Sequence, residues 1–116
     1  MAYTETAQQF FERISNTLEP LTSVAAVIEF DIEGDASTGN PGGRWLVDLR
    51  EGVMAEPGTK PAEVIVKARE RDFMAVVEGR MSPSDGMLTQ RLKVAGDMSV
   101  FGRLVSALET VQTALA

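Results

Sequence analysis

From Ile28 to Ala95 the chain repeatedly alternates apolar and charged residues, and that period of two constrains its fold more than any other feature. Ile28, Phe30 and Ile32 alternate with Glu29, Asp31 and Glu33, and Trp45, Val47 and Leu49 with Arg44, Asp48 and Arg50. Further on, Val64, Val66 and Ala68 stand opposite Glu63, Lys67 and Arg69, and Leu92 and Val94 opposite Arg91 and Lys93. Successive strand side chains point to opposite faces, so each segment reads as a strand with one apolar and one charged face. The Glu51-Gly52 turn signal predicts a short returning strand over 53–56, closed by Pro57-Gly58 and Pro61. Residues 34–43 read as a polar loop with no apolar anchor.

Five half-apolar strands make a sheet covered on one side and solvated on the other. Strands buried on both faces would instead be continuous Val/Ile runs, so a doubly wound fold is disfavoured. The covering helices come from segments with a different period. Ala7, Phe10, Phe11, Ile14, Leu18 and Leu21 fall at steps of three and four, predicting a first helix over 4–21 that ends near Pro20. Residues 72–78 carry Phe73, Val76 and Val77, with Gly79 as the stop. Ser82-Pro83-Ser84-Asp85 is a helix start, with Ser82 as N-cap and Asp85 completing a box-like arrangement. Asp97 caps a last helix bearing Met98, Phe101, Leu104, Val105, Leu108 and Val111. The class is α+β, a single domain over 1–116, with no internal repeat.

Composition narrows the chemistry. There is no histidine and no cysteine, which removes disulfides, thiolate nucleophiles, imidazole bases and sulfur- or imidazole-bound metals. A net charge of −6 opposes nucleic-acid binding, which needs a basic surface. No apolar run is long enough to span a bilayer. The polar N-terminus is unlike a secretory signal and Thr113-Ala114-Leu115-Ala116 is not a peroxisomal ending, so a cytoplasmic location is expected. Glu29, Asp31, Glu33, Asp35 and Asp48 are the only concentration of acids, and their spacing assigns them to the solvated face, paired with Arg44, Arg50 or Lys67. Gly-Asn-Pro-Gly-Gly in the polar loop lacks the ending of a phosphate cradle. Lys60, Lys67 and Lys93 could form Schiff bases only if buried, and two of them lie on the charged face.

Five internal methionines, Met54, Met74, Met81, Met87 and Met98, read first as core filling and second as the lining of an adaptable apolar cavity. Gly86 and Gly102 inside predicted helices favour the second reading, since glycine there costs ~1 kcal/mol relative to alanine and marks a close approach.

The ordered set of motifs resembles one known family. Gly43-Arg44-Trp45-Leu46-Val47-Asp48-Leu49-Arg50-Glu51-Gly52 comes first, then Ala62-Glu63-Val64-Ile65-Val66, then Asp72-Phe73 leading to Glu78-Gly79-Arg80-Met81-Ser82-Pro83. Leu92-Lys93-Val94-Ala95-Gly96-Asp97-Met98 completes it. Together they resemble the sterol carrier protein type 2, or non-specific lipid-transfer protein, domain across nearly the whole chain. The resemblance implies a five-stranded, mostly antiparallel sheet with helices on one face and an apolar tunnel between them. It further implies non-catalytic binding of fatty acids, acyl-CoAs, phospholipids or sterol-like molecules, with no cofactor. Two positions depart from the family pattern: Met87 replaces an aromatic residue, and Gln90 replaces a glycine before the last strand.

The expected ligand space lies under Phe73, Val76, Val77, Met81, Met87 and Leu88, with Met98, Phe101, Leu104, Val105 and Leu108 as its far wall. No catalytic or metal-binding residue is expected. The alternatives are an accessory domain whose cavity has closed around its own side chains, partnering a lipid- or quinone-processing enzyme or a second copy, and an enzyme working with carboxylates alone.

Overall fold

The computed structural model describes residues 6–15, 18–35 and 40–115, with side chains throughout except at 19–20, 35, 40–41 and 108–115. Strands β1 (Val27–Asp35), β2 (Asn40–Asp48), β3 (Val53–Ala55), β4 (Val64–Arg69) and β5 (Leu92–Gly96) form one sheet in the order β3-β2-β1-β4-β5. Every neighbouring pair is antiparallel except β1 and β4 at the centre, which run parallel.

The first two strands run further than alternation predicts. Ile32 pairs with Gly43 and Glu33 with Gly42, inside the segment read as a loop. Ladder bonds are made by backbone groups, so they need no apolar anchor. Gly42 has φ 68°, and a Cβ there would lie 2.4 Å from both Gly34 N and Ile32 O, so only glycine fits. Residues 36–39 of that predicted loop lie outside the described residues.

Helix α1 (Ala7–Ile14) starts at a reciprocal cap in which Thr6 Oγ1 accepts from Gln9 N–H and Gln9 Oε1 accepts from Thr6 N–H. The helix is shorter than predicted. A 3₁₀ helix at Glu19–Val24 carries the later apolar residues, and Pro20 opens it rather than ending α1. A missing N–H costs nothing in a first turn. Helices α2 (Glu70–Val77), α3 (Pro83–Leu88) and α4 (Met98–Leu115) follow near their predicted places. Ser82 Oγ accepts the Asp85 N–H at 3.1 Å. Asp97 Oδ1 accepts from the Ser99 hydroxyl at 2.7 Å and N–H at 2.9 Å, and these bonds hold its carboxyl below the ordinary range.

Gln90, between α3 and β5, is left-handed with φ 60°, the geometry that glycine occupies without cost. Gln90→Gly should therefore raise stability by about 0.5 kcal/mol, a fraction of the ~1 kcal/mol left-handed penalty after glycine's extra unfolded entropy. A urea midpoint that stays or falls would show that the glutamine side chain offsets its own strain.

The core fills the space between the helices and one face of the sheet. Phe11, Leu18, Ile28, Leu49 and Met74 are fully buried there. The opposite face is not simply solvated. Glu29 pairs with Arg44 at 3.0 Å, one of the expected partners, and Glu33 with Arg69 at 4.0 Å, which is not one of them. Leu46, Val27 and Asp48 share that face, yet all three are buried, Asp48 to 3% exposure. Asp48 is thus a correction to the solvated reading. Lys60, from the segment between β3 and β4, reaches back to its Oδ2, while Oδ1 accepts the N–H groups of Arg50 at 3.0 Å and Glu51 at 3.2 Å. The Lys60 bond is the main reason that the Asp48 carboxyl is held below the ordinary range, against the opposing effect of burial. Asp48 likewise pushes the Lys60 ammonium up.

Candidate functional site

Between the helices and the apolar sheet face lies a small enclosed space of about 20 Å³. Its lining comes from α1 (Phe10, Phe11, Ile14), the 3₁₀ helix (Leu21), the sheet and its edge (Phe30, Val47, Leu49), α2 (Phe73, Val77) and α4 (Leu104). All are apolar, so the space offers no hydrogen bond, acid or base to a ligand. It has room for about one water molecule, against ~300 Å³ or more for a small-molecule site. Among the described side chains no open tunnel of the kind the resemblance implies is seen.

Aromatic rings fill this part of the interior. Phe11 stacks on Trp45 with centroids 4.6 Å apart and on Phe73 at 5.5 Å, and it meets Phe30 at 5.1 Å. Phe10 approaches Phe73 edge-on at 5.8 Å. Each such pair contributes ~0.5–1.5 kcal/mol beyond area burial, so the closed arrangement is a stable one.

Of the residues expected to line a ligand space, Phe73, Val77 and Leu104 border this small apolar space. Phe101 is buried in the same core, and Met87 and Val105 pack against it half-buried. Val76 and Met81 are also half-buried. Leu88 is 81% exposed and Met98 47% exposed, so both face solvent here. Each sits at an end of its helix, where periodicity assigns a face but not a covering neighbour. The Leu108 side chain lies outside the described residues.

Phe10, Phe11 and Phe30 were read from the sequence as core without being placed at the site. The adjacent phenylalanines of α1 were the available signal, but that they meet Phe30 and Phe73 is a long-range fact. Met74 is fully buried, while Met54 is only half-buried. Gly86 does mark a close approach: a Cβ there would come within 3.1 Å of Leu92 Cβ and 3.4 Å of Met81 Cε. Gly102 faces open space.

Glu70 is a buried group that the sequence reading did not single out. It is 2% exposed, and its Oε1 accepts the N–H of Ala7 at 2.9 Å, tying the start of α2 to the start of α1. Its Oε2 has no hydrogen-bond partner among the described residues. Among those residues no group of three or more acids could hold a metal, and no helix is long and apolar enough to cross a membrane.

A mixed sheet roofed by helices, with a small space of purely apolar lining between the two layers, defines an α+β fold that presents shape and apolar area there but no reactive group. The chain belongs to the SCP-2 sterol transfer family, whose sequence profile matches residues 7–109. It is 30% identical over 107 residues to hydroxysteroid dehydrogenase-like protein 2 of Xenopus laevis, covering 87% of this chain and 24% of that protein. The chain thus spans about a quarter of the length of the first curated relatives that it matches. Among solved structures, the sterol carrier protein domain 2 of Helicoverpa armigera superposes with a TM-score of 0.75 at 13% identity, covering 97% of this chain and 96% of that one. Sterol carrier protein 2 of Aedes aegypti, in complex with the C16 fatty acid palmitate, gives 0.63 at 19% identity, covering 84% and 89%.

Proposed function

We propose that this chain is a non-catalytic module that binds or transfers lipids, taking an acyl chain between its helices and the apolar face of its sheet. The observation that carries the reading is the space between the layers: its lining is apolar throughout and is built largely from aromatic rings. Family membership supports it, as does the palmitate complex of the Aedes aegypti relative. The ligand would displace the Phe11 ring and take up Phe73, Val77 and Leu104 as direct contacts, with Met81 and Met87 adapting to its length. Burying ~300 Å² of apolar ligand surface gives on the order of 7 kcal/mol gross. Lost ligand freedom and the opening of the core subtract from this.

A palmitate titration followed by amide NMR and native mass spectrometry tests the proposal. A one-to-one complex is expected with Kd about 10 µM or weaker, and the largest shifts at Phe10, Phe11, Phe73 and Leu104. No complex with palmitate, other fatty acids or phospholipid would instead fit an accessory domain whose core stays closed.

A further inference from the structure

A second concavity lies at one end of the sheet and shares no residue with the apolar space. It is an open depression of about 820 Å³ at the end of the sheet where β1 and β4 finish and β5 begins, flanked by α2. Six of the eleven Lys and Arg residues line it: Lys67, Arg69, Arg71, Arg80, Arg91 and Lys93. Among the described residues, three carboxylates, Asp31, Glu33 and Asp72, stand among them. In a chain of net charge −6, this is a local reversal of sign.

The cations are incompletely compensated. Arg69 reaches Glu33 at 4.0 Å, and Arg80 is held by Glu78 at 2.5 Å. Among the described residues, Lys67, Arg71, Arg91 and Lys93 have no carboxylate within 4.0 Å. Lys67 is moreover the direct cross-strand partner of Lys93, a like-charge placement that costs stability. Asp31, across from Lys67 on β1, relieves it from one side only.

We propose that this depression binds a compact polyanion, a small molecule carrying two or more linked phosphoryl groups. Three of its features select that chemistry. Four of the six cations are arginines, whose planar forks match phosphate oxygens in pairs. The volume falls in the range of ~300–1,000 Å³ usual for small-molecule sites. The surrounding surface is acidic on balance, which repels an extended duplex or a flat anionic bilayer but not a ligand small enough to sit inside. An anion between Lys67 and Lys93 also removes their repulsion, so binding and stability are coupled.

Sodium tripolyphosphate is the probe, titrated into the whole chain and followed by amide NMR, with orthophosphate and mixed phosphatidylcholine–phosphatidylglycerol vesicles in parallel. Saturable shifts are expected at Lys67, Arg71, Arg91 and Lys93, tighter for tripolyphosphate than for orthophosphate and weakening as salt rises. Lys93→Glu should weaken binding about tenfold or more while raising Tm, because it turns a like-charge pair into an opposite one. Arg91→Gln, at an exposed position, should weaken binding without moving Tm. Unsaturable or scattered shifts, unchanged affinity in both variants, or a response to the anionic vesicles alone would overturn the assignment. Palmitate binding can succeed or fail without bearing on this result.

Discussion

Phe11→Ala is expected to lower stability by about 3–5 kcal/mol, the cost of removing a fully buried ring, and yet to strengthen palmitate binding. Phe11 is 1% exposed and touches Phe10, Phe30, Trp45 and Phe73, so its loss removes several ring contacts at once. The same ring fills the place that the proposed ligand needs. Deleting it enlarges a space of about 20 Å³ without requiring the helices to part. If palmitate binds there as proposed, the wild-type chain must open before binding, and its apparent affinity falls by the fraction that is open. The variant avoids much of that penalty. Urea unfolding with and without palmitate measures both effects, and the ligand should raise the variant's midpoint more than the wild type's. If Phe11→Ala binds palmitate more weakly than the wild type, the ring is a contact and not a plug.

Asp48→Ala should cost about 2–3 kcal/mol, because a charged acceptor of several hydrogen bonds is removed from a buried position. The loss is kept below that of a fully buried ion pair by Lys60, whose side chain is partly exposed and can return to water. Asp48→Asn should cost less, since its Oδ1 can still accept the Arg50 and Glu51 N–H groups that shape the turn into β3. The effect depends on pH with a definite sign. The folded-state pKa of Asp48 is depressed, so its contribution is complete above the ordinary carboxylate pKa of about 4. It is lost as pH falls below that and through the lower folded value. Wild type and Asp48→Ala should therefore converge in stability under acid, while differing most near neutrality. Parallel curves down to strongly acidic pH would show that the lost stability comes from packing rather than from the ionised carboxylate.

The strands and their faces were legible because side-chain alternation is local. Ile28, Phe30 and Ile32 had to share a face in any pairing, and all three are buried. The N-caps at Ser82 and Asp97 were equally local, each bonding N–H groups within three residues of itself. Register was not legible. Nothing in the side chains of Gly42 or Gly43 announces that they pair with Glu33 and Ile32, because glycine joins a ladder through its backbone alone. The parallel pairing of β1 with β4 also left no mark, since either direction presents the same residues to the core. At the site, Phe73, Val77 and Leu104 could be named from helical spacing, whereas Leu88 and Met98 carried the right spacing without a neighbour to cover them.

The sequence by itself determined the class of chain: a half-apolar sheet, helices to roof it, and no histidine or cysteine to place inside. These follow from period and composition, which act over a few residues. Tertiary structure alone decided three matters. It closed the interior, because rings from α1, β1, β2 and α2 converge on Phe11. It buried Asp48 and Glu70, because Lys60 and the α1 N-terminus arrive from elsewhere in the chain. And it gathered six cations around one depression, setting Lys67 against Lys93. Each depends on which distant segments meet, and that is settled by the balance of burial over the whole core rather than by any local pattern.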